Sequence, residues 1–239
     1  MKKAKKNKGA LAIFVKTPGL SPIKTRLAQT IGTETALEFY HLALRALKKV
    51  LIKLQVELPN VDIYFAVAEE EGLSSPLWLG FPTLWQGKGG LGSKLSHIYN
   101  LLLHNYNYEF VCFMGADSPQ ISTDQIFKSI LTTNQNYTTS FVLGETQDGG
   151  FYFFGGGLPL TPLQWESITY SSDQTAKGLQ QSFITMAPFL HLDLQFDIDV
   201  VGDLEKLKNY DFSAFNLIPE QIELIRWVNT LKYLPHVAS

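Results

Sequence analysis

The sequence predicts an α/β fold in which helices cover both faces of a mainly parallel sheet. Short, wholly apolar segments alternate along the chain with segments whose apolar residues recur at helical spacing. Strands that are apolar on both faces are typical of parallel sheets, because helices then lie on both sides. The 239 residues include 45% hydrophobic and 18% charged residues, which favours a folded globular protein over a disordered, collagen-like or coiled-coil chain.

The first half of the chain carries five of these segments. Strands are predicted at residues 10–15, 61–68 and 109–114, and helices at 33–55 and 92–104. Thr33 is expected to cap the long helix, with Glu34 in its first turn. Cys112 lies within the third apolar run and is expected to be a core residue. A single cysteine excludes an intrachain disulfide and a cysteine-built zinc site.

The second half continues the alternation with less regular segments. Residues 122–125, Ser-Thr-Asp-Gln, form a capping-box pattern and are expected to open a helix. Strands are predicted at 139–143, 151–154 and, within a longer segment, 185–194. Helices are predicted at 200–208 and 219–232.

The near-zero net charge of −2 conceals a basic start and an acidic remainder. Five lysines stand in the first eight residues, and without them the chain has 15 basic against 22 acidic residues. We predict a disordered basic tail at 1–9 and a single domain at 10–239. An acidic body argues against a nucleic-acid-binding surface.

No segment resembles a membrane span or a complete signal peptide. The apolar run at 10–15 is too short for a signal sequence and stops at Lys16, and the longest uncharged segment, 149–165, is rich in Gly and Pro. The sequence therefore predicts a cytoplasmic protein without a membrane span.

The segment that follows the first strand is a candidate phosphate-binding loop. Residues 16–27 contain Lys16, Lys24 and Arg26 together with two prolines and a glycine. Lysine offers a point charge and arginine a two-pronged donor to phosphate oxygens, and loop amides add further donors. The alternative is a solvated loop whose cations only aid solubility.

Asp117 follows the apolar strand at 109–114 and is a candidate metal ligand. A carboxylate at the end of a buried strand is costly unless a positive group meets it, and Mg²⁺ or Mn²⁺ bridging to substrate phosphates would supply that charge. Ligands of such sheets gather beyond the carboxyl ends of the strands. The alternative is a turn aspartate, because Asp-Ser-Pro favours turns.

Two further segments place carboxylates among turn residues. Asp197 and Asp199 alternate on an extended stretch and are expected to point the same way, which suits a metal site. Asp199 is equally suited to cap the next helix. Asp148, with Gly149 and Gly150, forms a turn signal that would also let the backbone approach a substrate.

Residues 87–92 contain G-x-G-x-x-G before a predicted helix, but the rest of a dinucleotide-binding pattern is missing. Such folds place an acidic residue about 20 positions further on, at the end of the next strand. Here Glu109 opens that strand and Asp117 follows it. We interpret the segment as a Gly-rich loop that is able to touch a nucleotide.

Taken in order, these segments resemble a known family. Residues 12–18 with Lys24-Thr25-Arg26-Leu27 look like the N-terminal signature of GT-A-type transferases, and later blocks match in the same order over residues 11–207. The chain is similar to the bacterial glycosyltransferases first classified as a domain of unknown function, DUF2064, which include an arsenosugar-biosynthesis-associated group. It is also similar to the phospholactate guanylyltransferases. The later matching blocks are Gln86-Gly87, residues 90–92, 115–119, 148–152 and 197–204.

The resemblance implies a three-layer, Rossmann-like GT-A domain that uses a nucleotide donor and a divalent metal, Mg²⁺ or Mn²⁺. Carried over by position, Lys16, Lys24 and Arg26 would hold the donor phosphates. Asp117 and Asp199 would hold the metal. Asp148 would lie near the transferred group or the acceptor. The catalytic candidates are therefore Lys24, Arg26 and Asp148. The residues expected to bind substrate or nucleotide are Lys16, Lys24, Arg26, Gly87, Gly90, Gly149 and Gly150.

The predicted function is that of a metal-dependent glycosyltransferase with a nucleotide-sugar donor and a small-molecule acceptor. One alternative is a nucleotidyltransferase that releases pyrophosphate from a nucleoside triphosphate. A second is a nucleotide-binding protein without catalysis.

Overall fold

The computed structural model describes residues 8–231, which contain one seven-stranded sheet of order β3-β2-β1-β4-β6-β5-β7. Every strand runs parallel to its neighbours except β6, which is antiparallel to both β4 and β5. The strands are β1 Gly9–Val15, β2 Val61–Val67, β3 Thr83–Trp85, β4 Phe110–Gly115, β5 Phe141–Glu145, β6 Phe151–Gly156 and β7 Phe189–His191. The mainly parallel α/β architecture predicted from the sequence is confirmed.

Eight α-helices complete the described part of the chain. A π-helical turn, Leu101–Asn105, extends α3, and two 3-10 turns, Glu70–Ser74 and Pro76–Trp78, link β2 to β3. The helices are α1 Thr25–Ile31, α2 Thr33–Glu57, α3 Leu91–Asn100, α4 Thr123–Asn136, α5 Pro162–Glu166, α6 Thr175–Phe183, α7 Val201–Asn209 and α8 Pro219–Thr230.

The sheet lies between two layers of helices because its strands are apolar on both faces. Leu11 and Ile13 of β1 join the core on the side of α2 and α4, whereas Ala10 and Ala12 join the core on the side of α3, α5 and α6. A third cluster joins α1, α7 and α8 to the outer side of α2. Trp165 of α5 is fully buried in the second of these cores, among aromatic rings.

The start of the chain differs from the prediction. Strand β1 begins at Gly9, inside the predicted tail, and a Cβ at this position would overlap the ring of Phe110. Lys8 forms an ion pair with Asp62 at 2.9 Å. The remainder of the predicted tail, residues 1–7, lies outside the described residues, as does the predicted end of the last helix at 232.

Several elements were missed because they are short or irregular in pattern. The segment treated as one loop, 16–27, gives way to α1 at Thr25, and α1 leads directly into α2 through Gly32. Gly32, at φ 87°, therefore occupies the cap position predicted for Thr33. The broad strand predicted within 185–194 is confined to the three residues of β7. Strand β3 and helices α5 and α6 were not predicted.

Candidate active site

Hydrogen bonds with two other elements fix the loop after β1 at the carboxyl edge of the sheet. The amide of Thr17 donates to Oε2 of Glu69, just beyond β2, at 2.8 Å. The hydroxyl of Tyr40, on α2, donates to the carbonyl of Lys16 at 2.7 Å. These bonds direct the loop across the ends of the strands, where α1 then begins.

The loop after β4 runs beside the extended segment before α7, and backbone hydrogen bonds join the two. The amide of Ile198 donates to the carbonyl of Asp117 at 3.0 Å, and the hydroxyl of Ser118 donates to the carboxylate of Asp197. On α8, the side-chain amide of the buried residue Gln221 donates to the carbonyl of Pro119 at 2.9 Å. Residues 80 positions apart are thereby brought to one side of the sheet.

Lys24 connects the two loops through a pair of carboxylates. Its ammonium group contacts Oδ1 of Asp117 and lies 2.9 Å from Oδ1 of Asp199. Only 6% of the Lys24 side chain is exposed, whereas 52% of Asp117 and 41% of Asp199 remain open to solvent. The lysine fills the space between two acids that still face outward.

Lys24 and Asp117 stabilise each other's charged forms. Burial lowers the pKa of Lys24, but the two carboxylates raise it by more, so the pKa lies above its ordinary value. Desolvation raises the pKa of Asp117, and the positive charge of Lys24, with a smaller contribution from Lys16, lowers it by more. These shifts favour the ion pair between Lys24 and Asp117.

Asp199 is free for this contact because another residue caps the following helix. Oδ2 of Asp203 accepts from the amides of Asp199 at 3.0 Å and of Val200 at 2.9 Å. The interpretation of Asp199 as the helix cap is therefore wrong. Asp203 reaches back from the first turn and satisfies the amide groups at the start of α7.

A cavity of about 740 Å³ opens above this cluster, and it collects most of the predicted site residues. Asp197 and Asp199 both line it, as their alternation predicts. Lys16 and Arg26 line it too, and neither has an ion-pair partner within residues 8–231. Gly150 and Asp148 complete the set, whereas Gly87, Gly90 and Gly149 are not among the described residues that line the cavity.

The cavity wall opposite the basic loop, which comprises residues 16–24 between β1 and α1, includes a segment that sequence reasoning missed. Ser171, Ser172 and Asp173, from the loop before α6, line the cavity beside Asp148. The turn at residues 148–150 packs against the start of α6, where the amide of Ala176 donates to the carbonyl of Gly149 at 2.9 Å. The only sequence signal was a cluster of Ser and Asp residues, which is common in ordinary loops.

Gly149 is required at this junction. Its φ is 84°, and a Cβ there would overlap the carbonyl of Asp173. The Asp-Gly-Gly turn therefore does two things: it reverses the chain between β5 and β6, and it seats the loop before α6.

Asp197 has a different electrostatic environment from Asp199. Burial raises the pKa of Asp197 to about 7, and the nearby carboxylates of Asp117 and Asp148 add to this, while the Ser118 hydrogen bond opposes it. Within residues 8–231, Asp197 forms no ion pair with a lysine, whereas Asp199 pairs with Lys24. The two alternating aspartates are thus chemically unequal.

The described side chains supply only part of the ligand set that a divalent metal ion needs. Among residues 8–231, no three His, Cys, Asp or Glu side chains converge closely enough to hold a metal ion. Asp117 and Asp199 nevertheless flank one cationic atom, so a cation can be shared between them. Mg²⁺ commonly takes one or two protein carboxylates and completes its shell with phosphate oxygens and water.

Solved structures with transferase or synthase names share this fold. A Desulfovibrio desulfuricans G20 protein provisionally assigned as a nucleotide-diphospho-sugar transferase aligns with a TM-score of 0.74 and 24% identity, over 93% of this chain and 98% of that one. A cytidylyltransferase from Leptospira borgpetersenii aligns with a TM-score of 0.51 and 13% identity, over 93% and 94%. The 4-diphosphocytidyl-2C-methyl-D-erythritol synthase of Anaerococcus prevotii aligns with a TM-score of 0.51 and 10% identity, over 93% and 99%. The chain therefore has a nucleotide-diphospho-sugar transferase fold.

The family profile described as "Uncharacterized protein conserved in bacteria (DUF2064)" matches residues 52–172, just over half of the chain. The chain belongs to this family, as the motif resemblance predicted. The matched region contains Asp117 and Asp148, while the basic loop and Asp199 lie outside it. No protein of curated function matches the chain in sequence.

The helices of residues 8–231 include none with the length and apolar character needed to span a bilayer.

Proposed function

We propose that the protein transfers a glycosyl group from a nucleotide-sugar donor to a small hydroxyl-bearing acceptor, with the help of Mg²⁺ or Mn²⁺. The observation that carries this proposal is that one cavity is lined both by cationic side chains and by carboxylates, which come from different loops. The cations of the loop after β1 face the carboxylates that follow β4 and precede α7. A diphosphate and a metal ion need these two kinds of group side by side.

In this proposal the protein mainly positions the reactants and supplies fixed charge. Lys16 and Arg26 have no ion-pair partner in the described chain and are available for the oxygens of the donor diphosphate. Asp117 and Asp199 would hold the metal, which, when bound, offsets negative charge on the departing nucleoside diphosphate. Fixed charges of this kind lower the barrier because they need no reorganisation during the reaction.

Asp148 is proposed to act on the acceptor side. One of its oxygens, Oδ1, is already engaged by the hydroxyl of Thr146 at 2.6 Å and the amide of Gly150 at 3.1 Å. These bonds orient the carboxylate, and its second oxygen is left for an acceptor hydroxyl. A carboxylate in hydrogen-bond reach of that hydroxyl can accept its proton during attack.

The nucleotidyltransferase alternative uses the same cations, but the far wall of the cavity favours glycosyl transfer. All three cationic residues that line the described cavity belong to the loop after β1 and the start of α1. The opposite wall contributes Asp148, Asp173 and serine hydroxyl groups. Such a wall suits a neutral or amine-bearing acceptor better than a phosphate ester, because like charges repel.

The first experiment is a thermal-shift panel of nucleotides and nucleotide sugars, each with and without Mg²⁺ or Mn²⁺. A ligand that binds the native state raises the melting temperature. The best donor is then incubated with a panel of alcohols, and the products are identified. Release of a nucleoside diphosphate supports glycosyl transfer, and release of pyrophosphate from a nucleoside triphosphate would refute it in favour of nucleotidyl transfer.

The substitution Asp117→Asn tests the metal role and the non-catalytic alternative together. We expect the turnover rate to fall by about a thousandfold, equivalent to about 4 kcal/mol, because one of two carboxylates that share the cation is lost. Asp124→Asn, an exposed carboxylate on α4 outside the cavity, is the matched control and should leave the rate unchanged. Binding without turnover in the native protein would support the non-catalytic alternative. An activity unaffected by chelators would refute the metal assignment.

A further inference from the structure

The carboxylate pair already holds a cation supplied by the chain itself. The ammonium of Lys24 contacts Asp117 and lies 2.9 Å from Asp199, and almost none of the lysine side chain is exposed. The two carboxylates, by contrast, remain about half open to the cavity. Lys24 therefore occupies the space that a shared metal ion would need.

The backbone at Lys24 is in a conformation that side-chain-bearing residues rarely adopt. Its φ of 43° and ψ of 44° lie in the left-handed region, immediately before the first residue of α1. Such conformations persist only where the surrounding contacts hold them. The side chain makes two ion pairs here, and the carbonyl of Lys24 accepts from the amide of Ala28 at 2.8 Å. Loss of the ion pairs would remove two of the contacts that hold this conformation and let the backbone relax.

The charge balance makes simultaneous occupation unfavourable without a donor. Two carboxylates and one ammonium sum to −1, and a divalent ion would bring the cluster to +1 with two cations in contact. A donor diphosphate adds negative charge and offers the lysine new oxygen partners. Lys16 and Arg26 line the same cavity, and their positive charge attracts such a ligand.

Resting on the proposed function, we propose that Lys24 and the metal ion compete for the Asp117–Asp199 pair, so that the metal binds tightly only together with the donor. In the free protein Lys24 takes the place of the metal. When the donor enters, Lys24 moves from the carboxylates to the phosphates, and the carboxylates become available to the metal. By linkage, metal and nucleoside diphosphate then strengthen each other's binding by the same factor.

The alternative is that Lys24 forms a permanent structural ion pair. In that case its removal would weaken folding and would leave the affinity for metal unchanged or lower. Competition predicts the opposite sign for the metal: removing Lys24 strengthens binding in the absence of nucleotide. The sign of this effect separates the two explanations.

The test measures Mn²⁺ binding by the loss of the free-ion electron paramagnetic resonance signal, without any turnover. For Lys24→Met we expect Mn²⁺ to bind at least tenfold more tightly than to the native protein when no nucleotide is present. Lys16→Met removes a cation from the same loop that makes no contact with the carboxylates, and we expect less than a threefold change. Lys24→Arg, which retains the charge, should remain close to the native protein.

A second measurement begins with the native protein, so its first part does not depend on any variant folding. Saturating UDP or GDP, whichever gives the larger thermal shift, should increase the Mn²⁺ affinity of the native protein at least tenfold. In Lys24→Met this increase should be much smaller, since no competing cation remains to be withdrawn.

Three outcomes would overturn the inference: no gain in Lys24→Met, an equal gain in Lys16→Met, or a native Mn²⁺ affinity that is independent of the nucleotide. Failure of the proposed function is a separate result. A protein that shows the competition but transfers no sugar from any donor would keep this inference and refute glycosyl transfer.

Discussion

Gly149 shows how a single residue can set the shape of the candidate site. Its left-handed backbone and the close approach of Asp173 allow no side chain. We predict that Gly149→Ala lowers the free energy of unfolding by about 2 kcal/mol, from backbone strain and from displacement of the loop before α6. Chemical denaturation would measure this change.

A matched control for this substitution is Gly19→Ala. Gly19 also has a left-handed φ, 85°, but no atom lies where its Cβ would be placed. It should therefore show the backbone cost alone, about 1 kcal/mol. Equal effects of the two substitutions would contradict the proposed contact between the two loops.

Asp117 and Asp199 illustrate what a residue's type does and does not reveal. Both were candidate metal ligands from their positions beside predicted strands and helices, and the structure places both at one ammonium group. That their partner is Lys24 rather than Arg26 or Lys16 depends on the turn into α1, which the sequence pattern did not show. Their roles as metal ligands stay predictions until metal binding is measured.

At the scale of elements, Glu69 links β2 to the loop that carries the cations. Burial raises the pKa of Glu69, and hydrogen bonds from Ser21 and from the amide of Thr17 lower it by more, so the pKa lies below its ordinary value. A carboxyl group of this kind contributes stability above its unfolded-state pKa and loses that contribution as pH falls through its folded-state pKa. Sequence reasoning missed it because a glutamate after a strand is unremarkable by itself.

We therefore predict that Glu69→Gln lowers the free energy of unfolding by about 1 kcal/mol at pH 7 and that the difference shrinks as the pH falls below the ordinary glutamate pKa of about 4.3. Melting temperatures of the two proteins, measured across this range, would check the prediction. Glu70→Gln, an exposed neighbour, is the control and should differ little at any pH. We also expect a higher KM for the donor in Glu69→Gln, because the loop loses an anchor. A difference that grows toward low pH would be inconsistent with the lowered pKa.

At the scale of the whole molecule, the site depends on the aromatic core beneath its far wall. Trp165 is fully buried against Phe113, Phe154 and Phe183, and so joins α5 and α6 to the sheet. We predict that Trp165→Leu lowers the free energy of unfolding by about 3 kcal/mol, through lost contacts and a residual cavity. For a domain of this size the melting temperature should fall by about 6–12 °C.

The same variant also tests whether the two walls of the cavity are separable. The basic loop is attached to α2 and β2, on the other side of the sheet, by Tyr40 and Glu69. Below the melting temperature, nucleoside diphosphate binding to Trp165→Leu should therefore stay within about threefold of native binding, since the substitution leaves both of these anchors unchanged. Calorimetric titration would measure it, and Leu163→Ala, at a largely exposed position on α5, provides the stability control. A large loss of affinity would show that the walls move together.

The sequence by itself determined the architecture and the chemistry of the candidate site. Apolar runs such as residues 10–15 favour strands that are buried on both faces, and helical periodicity is strong over α2, so the fold class followed. The cations after the first strand and the carboxylates after the later ones were visible as residue types beside strand ends. The family profile matches residues 52–172, which contain Asp117 and Asp148.

Only the tertiary structure decided which of these groups meet. The contact of Lys24 with two aspartates spans 93 and 175 positions of the chain, and the wall built from residues 171–173 depends on backbone packing against Gly149. Local patterns encode periodicity and turn preference, which act over a few residues. The pairing of distant side chains follows instead from how the strands order in the sheet and where their loops cross, and no local pattern records that.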